Sequence, residues 1–282
     1  MIDLQLHTTD SDGTWPWDKV LEECLRIGLS AYAITDHDTI TRRGEILAWA
    51  RKHKAKAIPG VELSTKENDE TVHLLGYFLG GDLEKLEKKL KEAISARTDR
   101  NSKIIKKLQA MGYQISMEEL NRMTTGGPIG RPHIAQVLLA KGYVESVRKA
   151  FQRFLGREGA AYVPKDDMPL KKGIELLNEA KAVTVVAHPG LLTRSAPEFE
   201  AALKRWRSWG LDGIEVYYPS HNDEQIGFLE RMADKFGFLK TGGSDFHGDN
   251  KPNIKIGVGY GKLAVPDELM GPLFKRRDEI MS

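Results

Sequence analysis

The stretch Ala31-Tyr32-Ala33-Ile34-Thr35-Asp36-His37-Asp38 runs from four apolar residues directly into a cluster of acids around a histidine. So short an apolar run, set between helical patterns, reads as a buried strand. Upstream, Val20, Leu21, Cys24 and Leu25 recur at helical spacing, and Gly28 is placed to end that helix. Further upstream, Ile2-Asp3-Leu4-Gln5-Leu6 alternates with period two, as a half-buried strand does. Downstream, residues 44–54 read as a helix, 57–63 as a third strand and 71–77 as a fourth. The pattern is strand, helix, strand, helix, strand, which favours a parallel sheet or an α/β barrel.

Between Leu83 and Lys171 the pattern changes to helices with almost no strand signal. A long charge-laced helix is predicted over 85–111, with Leu86, Leu90, Ile94, Ile104, Ile105 and Leu108 at its apolar positions. Shorter helices are predicted over 117–123, 132–141 and 145–154. Strand–helix alternation then resumes: strands over 183–187, 213–217 and 239–242, helices over 199–209 and 223–236. The expected architecture is a single α/β barrel, residues 1–82 and 172–282, interrupted by a helical lobe, residues 83–171.

Composition narrows the function classes. With 40% hydrophobic and 29% charged residues over 282 positions, the chain has the balance of a soluble globular protein able to bury a large core. The net charge of +2 provides no basic track for a long nucleic acid. Cys24 is alone, so no intrachain disulfide forms, which suits a reducing cytoplasm. No apolar run approaches the ~18 residues of a membrane span. The expectation is a cytoplasmic enzyme or binding protein that handles a small ligand.

The chemistry lies in where the polar residues fall. His7 follows the first strand, with Asp12 in the loop beyond it; His37 follows the second, and Glu62 ends the third. His73 lies on the fourth, His188 follows 183–187, Glu215 lies on 213–217, and Asp245 and His247 follow the last. In α/β folds, loops from many strands converge on that edge to form the active site. Any one of these residues alone is an ordinary cap or turn; together on one edge they form a candidate site. A mixed His/Asp/Glu set without thiolates suits Zn²⁺, Mn²⁺ or Fe²⁺ rather than Ca²⁺ or a structural zinc knot. The set exceeds what one ion needs, and a carboxylate such as Glu62 can bridge two. Glu215 and His221 are candidates for orienting the ligands. His53, in Arg51-Lys52-His53-Lys54, reads as a solvated helix end.

The motifs Asp3-Leu4-Gln5-Leu6-His7, Ser11-Asp12-Gly13, Thr35-Asp36-His37-Asp38, Gly60-Val61-Glu62, His73, Ala187-His188-Pro189-Gly190 and Gly243-Ser244-Asp245-Phe246-His247 occur in this order. In that order they resemble the PHP (polymerase and histidinol phosphatase) superfamily across nearly the whole chain. The helical block carrying Gly130-Arg131-Pro132-His133 resembles the insertion of one branch, bacterial phosphoesterases acting on nucleoside 3′,5′-bisphosphates and short RNA. The resemblance implies a distorted (β/α)7 barrel holding two or three divalent ions. One ion would take Gln5, His7, Glu62 and Asp245; a second Glu62, His73 and His188; a third Asp12, His37 and His247. The family motif has His where this chain has Gln5, whose neutral amide oxygen is a poorer zinc ligand than imidazole.

The resemblance implies hydrolysis of a phosphomonoester by a metal-bound hydroxide, with Arg131 clamping a phosphate and His133 donating to a phosphate or the leaving oxygen. Without it, Arg131 reads as a surface residue at a helix start, since Pro132 suits the first helical turn. Lys165, Arg194 and His221 are further substrate candidates, and Tyr217 and Tyr218 candidates for a base pocket. A histidinol-phosphate-type phosphatase is the alternative on the same scaffold, and the helical insertion weighs against it. A non-catalytic nucleotide- or metal-binding module, weakened by Gln5, is the alternative of another class.

Overall fold

The computed structural model describes residues 1–68, 70–122, 129–164 and 167–282. The elements run in chain order β1 Ile2–Leu6, α1 Trp17–Arg26, β2 Ala31–Ile34, α2 Arg43–His53, β3 Ala57–Glu67, β4 Glu70–Tyr77 and α3 Glu84–Ala110. Then come α4 Met117–Asn121, α5 Arg131–Ala140, α6 Val147–Ala150, β5 Met168–Pro169, α7 Leu170–Glu179 and β6 Val183–Val186. The chain ends with α8 Ala196–Ser208, β7 Gly213–Tyr217, α9 Asp223–Phe236, β8 Leu239–Gly242 and α10 Met270–Met281.

The sheet follows the order β1-β2-β3-β4-β6-β7-β8, with β5 paired to β3 off this path. The sheet curls until its ends meet. Leu6 bridges Phe246, the His7 N–H donates to Phe246 O at 3.0 Å, and the Asp245 N–H donates to Gln5 O at 2.9 Å. The result is a nearly closed barrel, as expected. One apolar cluster joins Ile2 and Leu4 of β1, Ala31 and Ala33 of β2, Leu75 and Tyr77 of β4 and Val183 and Val185 of β6, with Met270 and Leu273 of α10 packed onto it. A cluster drawn from β1 to β6 ties the ring together; burying such side chains contributes roughly 1.5–3 kcal/mol each.

One strand departs from a parallel barrel. β4 runs antiparallel to both β3 and β6, with His73 opposite Ser64 and Leu75 opposite Glu62. β3 also extends to Glu67, past its predicted end at Leu63, because its outer half is paired with β4 to Glu70. Reversal places the early part of β4, and with it His73, on the same edge as the ends of the parallel strands.

The long helix α3 serves two packing units. Leu86 and Leu90 join the barrel-side cluster with Ile174 and Leu177 of α7. Ile104, Ile105 and Leu108 join a separate cluster with Ile134 and Leu138 of α5 and Phe154 and Leu155 beyond α6. A rigid helix of 27 residues thereby carries the helical segment over the barrel edge. The expected helix over 117–123 is observed over Met117–Asn121, and residue 123 lies outside the described residues.

Candidate metal centre and its cavity

The expected ligands converge. Glu62 is fully buried, and its Oε1 lies 2.7 Å from His73 Nδ1 and 3.1 Å from His188 Nε2. Its Oε2 lies 3.0 Å from His7 Nε2, which is also 3.2 Å from Asp245 Oδ1. Asp12 Oδ1 lies 3.3 Å from His247 Nε2, 3.9 Å from His7 Nδ1 and 4.0 Å from His37 Nε2. Ligand atoms ~2.1 Å from one ion and at right angles to each other stand ~3.0 Å apart, so these spacings suit shared cations. Three groups bring donor atoms within ion-binding reach: His7, Asp12, His37 and His247; His37, Glu62 and His73; and His7, Glu62 and Asp245.

The donors also look for partners they do not have. Nδ1 of His7 and Nδ1 of His37 are buried without a hydrogen bond, while His7 Nε2 faces the Glu62 and Asp245 carboxylates. Such groups are costly to leave unsatisfied, and a divalent cation is what an imidazole lone pair among carboxylates would satisfy. The residues present therefore fit metal ions. Burial opposes charge on Glu62, but His37 and His73 hold its carboxyl well below the usual range. Burial likewise opposes charge on Asp12 and Asp245, and His247 with His37, and Lys251 with His247, hold them ionised. Burial drives His37 down to about 3 against the pull of Glu62 and Asp12. The carboxylates Asp245 and Glu62 overcome burial at His7 and push it well up.

The local chain explains the placement. Asp38, His188 and Asp245 all take positive φ (53°, 34° and 53°), a conformation non-glycine residues pay to adopt. At each one the backbone turns sharply off a strand end or its extension. The His188 N–H donates to Glu215 Oε2 at 2.7 Å, which holds that turn from below. His221 accepts the Gly190 N–H through Nε2 at 3.1 Å and contacts Val216 O through Nδ1 at 2.8 Å, fixing a neutral tautomer. A Cβ at Gly190 would stand 2.7 Å from that ring. Glu215 and His221 thus buttress the His188 loop. Asp36 accepts from Thr8 N, Thr8 Oγ1 and Ser11 Oγ at 2.7, 2.7 and 2.5 Å, pinning the loop that presents Asp12.

A cavity of about 570 Å³ opens on the cluster. Asp12, His37 and His73 form one wall; Arg97, Arg100, Arg131 and Arg157 line it from the helical side and the loops beyond, with Phe151 and Tyr162. Burial, then the neighbouring Arg131, press the Arg100 guanidinium down to about 10. Burial also lowers Arg131, which donates to Leu155 O at 3.0 Å. Guanidinium groups crowded into one partly buried space favour an anion between them. His133 is buried, and its Nδ1 accepts the Gly130 N–H at 2.9 Å, so its proton sits on Nε2.

Other expected contacts are elsewhere. Arg194 is not at the cavity: its guanidinium pairs with Glu67 at 2.9 Å and Glu70 at 2.6 Å and covers Trp206. His221 is buried under its own loop rather than facing substrate. Tyr217 donates to Glu230 at 2.6 Å and Tyr218 to Asp245 Oδ2 at 2.8 Å, so both hydroxyls are spoken for and neither ring lines this cavity. Lys165 lies outside the described residues. Sequence reading missed Arg97, Arg100 and Lys251. Arg97 and Arg100 are three apart and so share one helix face, but a helix rich in Lys and Arg hides that signal.

Residues 3–186 match the model of the PHP domain, and the chain belongs to that family. It is a metal-dependent phosphoesterase. It is 26% identical to the 5′-3′ exoribonuclease Rnm of Escherichia coli strain K12 over 277 residues, spanning 96% of this chain and 92% of that one. It is 27% identical over 257 residues to a 3′,5′-nucleoside bisphosphate phosphatase of Chromobacterium violaceum, spanning 91% and 90% of the two chains. A solved structure from Bifidobacterium adolescentis, assigned as a metal-dependent phosphoesterase, superposes with a TM-score of 0.86 at 28% identity, covering 98% and 96%. Among the described residues no helix is long and apolar enough to cross a membrane.

Proposed function

We propose that this enzyme removes the 3′-phosphate of nucleoside 3′,5′-bisphosphates, or acts on the ends of short oligoribonucleotides, with residues 83–171 as a substrate-holding lobe over the barrel. One observation carries this reading: a single cavity has metal-ligating side chains on one wall and arginines on the other. A substrate with a phosphate at each end of a nucleoside matches both walls. The similarity to an exoribonuclease and to a bisphosphate phosphatase supports the same substrate class. The +2 net charge matches a small ligand better than a long polyanion.

His7, Asp12, His37, Glu62, His73, His188, Asp245 and His247 would hold divalent ions, Mn²⁺, Zn²⁺ or Fe²⁺. When bound, such ions lower the pKa of water and neutralise phosphoryl oxygens. The chain does the rest. Arg131 and Arg100 orient the distal phosphate; a planar guanidinium forms two parallel bonds to it. His133, with its proton on Nε2, would give a hydrogen bond to a phosphate or to the departing ribose oxygen. Asp36 and Asp38 hold the loops that aim Asp12 and His37.

Turnover of adenosine 3′,5′-bisphosphate to AMP and phosphate, set beside histidinol phosphate and adenosine 3′-monophosphate, tests the proposal. The expected order places the bisphosphate first in kcat/KM. Preference for histidinol phosphate overturns it in favour of that phosphatase, and binding without turnover in Mn²⁺ or Zn²⁺ overturns it in favour of a sensing module.

A further inference from the structure

We propose that this chain holds two divalent ions rather than three, because the Lys251 ammonium and the Gln5 amide occupy the charge and hydrogen-bonding role of an ion at the His7–Glu62–Asp245 corner. The inference rests on the metal-centre reading above. His7, Glu62 and Asp245 approach closely enough to hold an ion. Around them, Gln5, Lys251 and Tyr218 present protons to the two carboxylates.

The Gln5 side chain is fully buried, and its Nε2 donates to Glu62 Oε2 at 3.0 Å. The Gln5 Oε1 is buried without a hydrogen-bond partner. Lys251 Nζ contacts Asp245 Oδ2, and Tyr218 donates to the same oxygen at 2.8 Å. Asp245 thus receives a full positive charge and a hydroxyl from the chain itself. Asp245 Oδ1 and Glu62 Oε2 both face His7 Nε2, at 3.2 and 3.0 Å. His7 Nδ1 faces the other way, toward Asp12 at 3.9 Å. An imidazole bound to an ion through one nitrogen ordinarily gives its other N–H to a carboxylate. His7 then belongs to the ion held with Asp12, His37 and His247, and its Nε2–H serves the corner.

Charge balance points the same way. A histidine at position 5 would offer an imidazole lone pair to the corner; the neutral glutamine instead gives a proton to Glu62. Lysine supplies a monovalent cation that cannot leave, in place of a divalent one that can. The second ion remains with Glu62 Oε1, His73 and His188, on the opposite side of the bridging carboxylate.

Metal content decides the matter. Protein loaded with excess Mn²⁺, desalted and counted by inductively coupled plasma mass spectrometry is expected to hold two ions per chain. The double variant Gln5→His/Lys251→Met is expected to hold three. Three ions in the unaltered protein, or two in a double variant with an unchanged circular dichroism spectrum, overturn the proposal. No bound ion in the unaltered protein overturns the metal-centre reading itself, a different and separately visible result. Should the double variant not fold, anomalous diffraction from Mn²⁺-soaked crystals of the unaltered protein decides it. Two peaks, with Lys251 on Asp245, are expected; a third peak among His7, Glu62 and Asp245 overturns the proposal.

Discussion

Arg97 of the long helix pairs with Asp38, the residue directly after His37, and so joins the helical lobe to a ligand-bearing loop of the barrel. Both side chains are largely buried, and Asp38 Oδ1 also accepts the Ser64 N–H at 3.0 Å. Asp38→Asn keeps the shape but removes the charge. Loss of a charge-assisted bond of this kind costs about 1.5–3 kcal/mol. The expected outcome is a lower melting temperature together with a raised KM for the bisphosphate, at unchanged metal content. An unchanged KM would show that the lobe does not depend on this link for its placement.

Arg100 and Arg131 crowd one cavity, where an anion between them would offset their mutual repulsion. Arg100→Ala and Arg131→Ala are each expected to lower kcat/KM for a bisphosphate about tenfold or more, the equivalent of one charged hydrogen bond. Adenosine 3′-monophosphate, which has no distal phosphate, should lose far less. Arg131→Lys should restore little, because an ammonium lacks the planar fork. Equal losses for both substrates would place the arginines at the reacting phosphate instead.

Glu62 touches three histidines, so its removal should undo more than one ligand set. Glu62→Ala is expected to lower bound metal and to cut turnover by on the order of 100-fold or more. Metal analysis alongside steady-state kinetics separates loss of ions from loss of fold, which circular dichroism monitors.

Metal affinity should fall as pH falls. His7 is held well above the ordinary histidine range by Asp245 and Glu62, against the effect of burial. The two carboxylates thus favour its protonated form in the metal-free protein, and a proton must leave when it ligates. Low pH favours the protonated form, so affinity rises from pH 6 toward pH 8. Calorimetry in two buffers of different ionisation enthalpy should reveal proton release on Mn²⁺ binding. Affinity independent of pH would exclude His7 as a ligand.

His221, a substrate candidate from the sequence, is instead buried against Gly190 and thereby holds the turn of His188. His221→Ala is expected to weaken Mn²⁺ binding about 10- to 100-fold, the range seen when an outer partner of a ligand is lost. Addition of Mn²⁺ to saturation should recover most of the activity, which damage to the fold would not allow.

Much of this was legible in the chain because a buried strand followed by a histidine leaves two signals at once. Ala31–Ile34 and Val183–Val186 are uniformly buried, and His37 and His188 stand just past their ends. The direction of β4 was not legible. Period-two alternation is the same whichever way a strand runs, and only the close pairing from Glu67 to Glu70 shows the hairpin. Arg194 was misplaced because position near a ligand loop says nothing of which carboxylates lie across the fold; Glu67 and Glu70 are remote from it in sequence. Lys251 was overlooked because a lysine in Asp249-Asn250-Lys251-Pro252 looks like an ordinary exposed turn.

The seam of the ring has a consequence for how the centre comes into being. Glu62 and His73 are 11 residues apart and meet through a local hairpin, whereas Glu62 and His188 are 126 apart. The bond from Ser244 N–H to Asp3, which fastens the seam, spans 241 residues. Contacts so distant cost the most loop-closure entropy and form late. During synthesis, the corner holding Glu62 and His73 can exist while Asp245 and His247 are still to be made. The proposed set of ligands is therefore completed only as the two ends of the sheet join. Retention of metal becomes a gauge of whether a nascent or heat-stressed molecule has closed its ring.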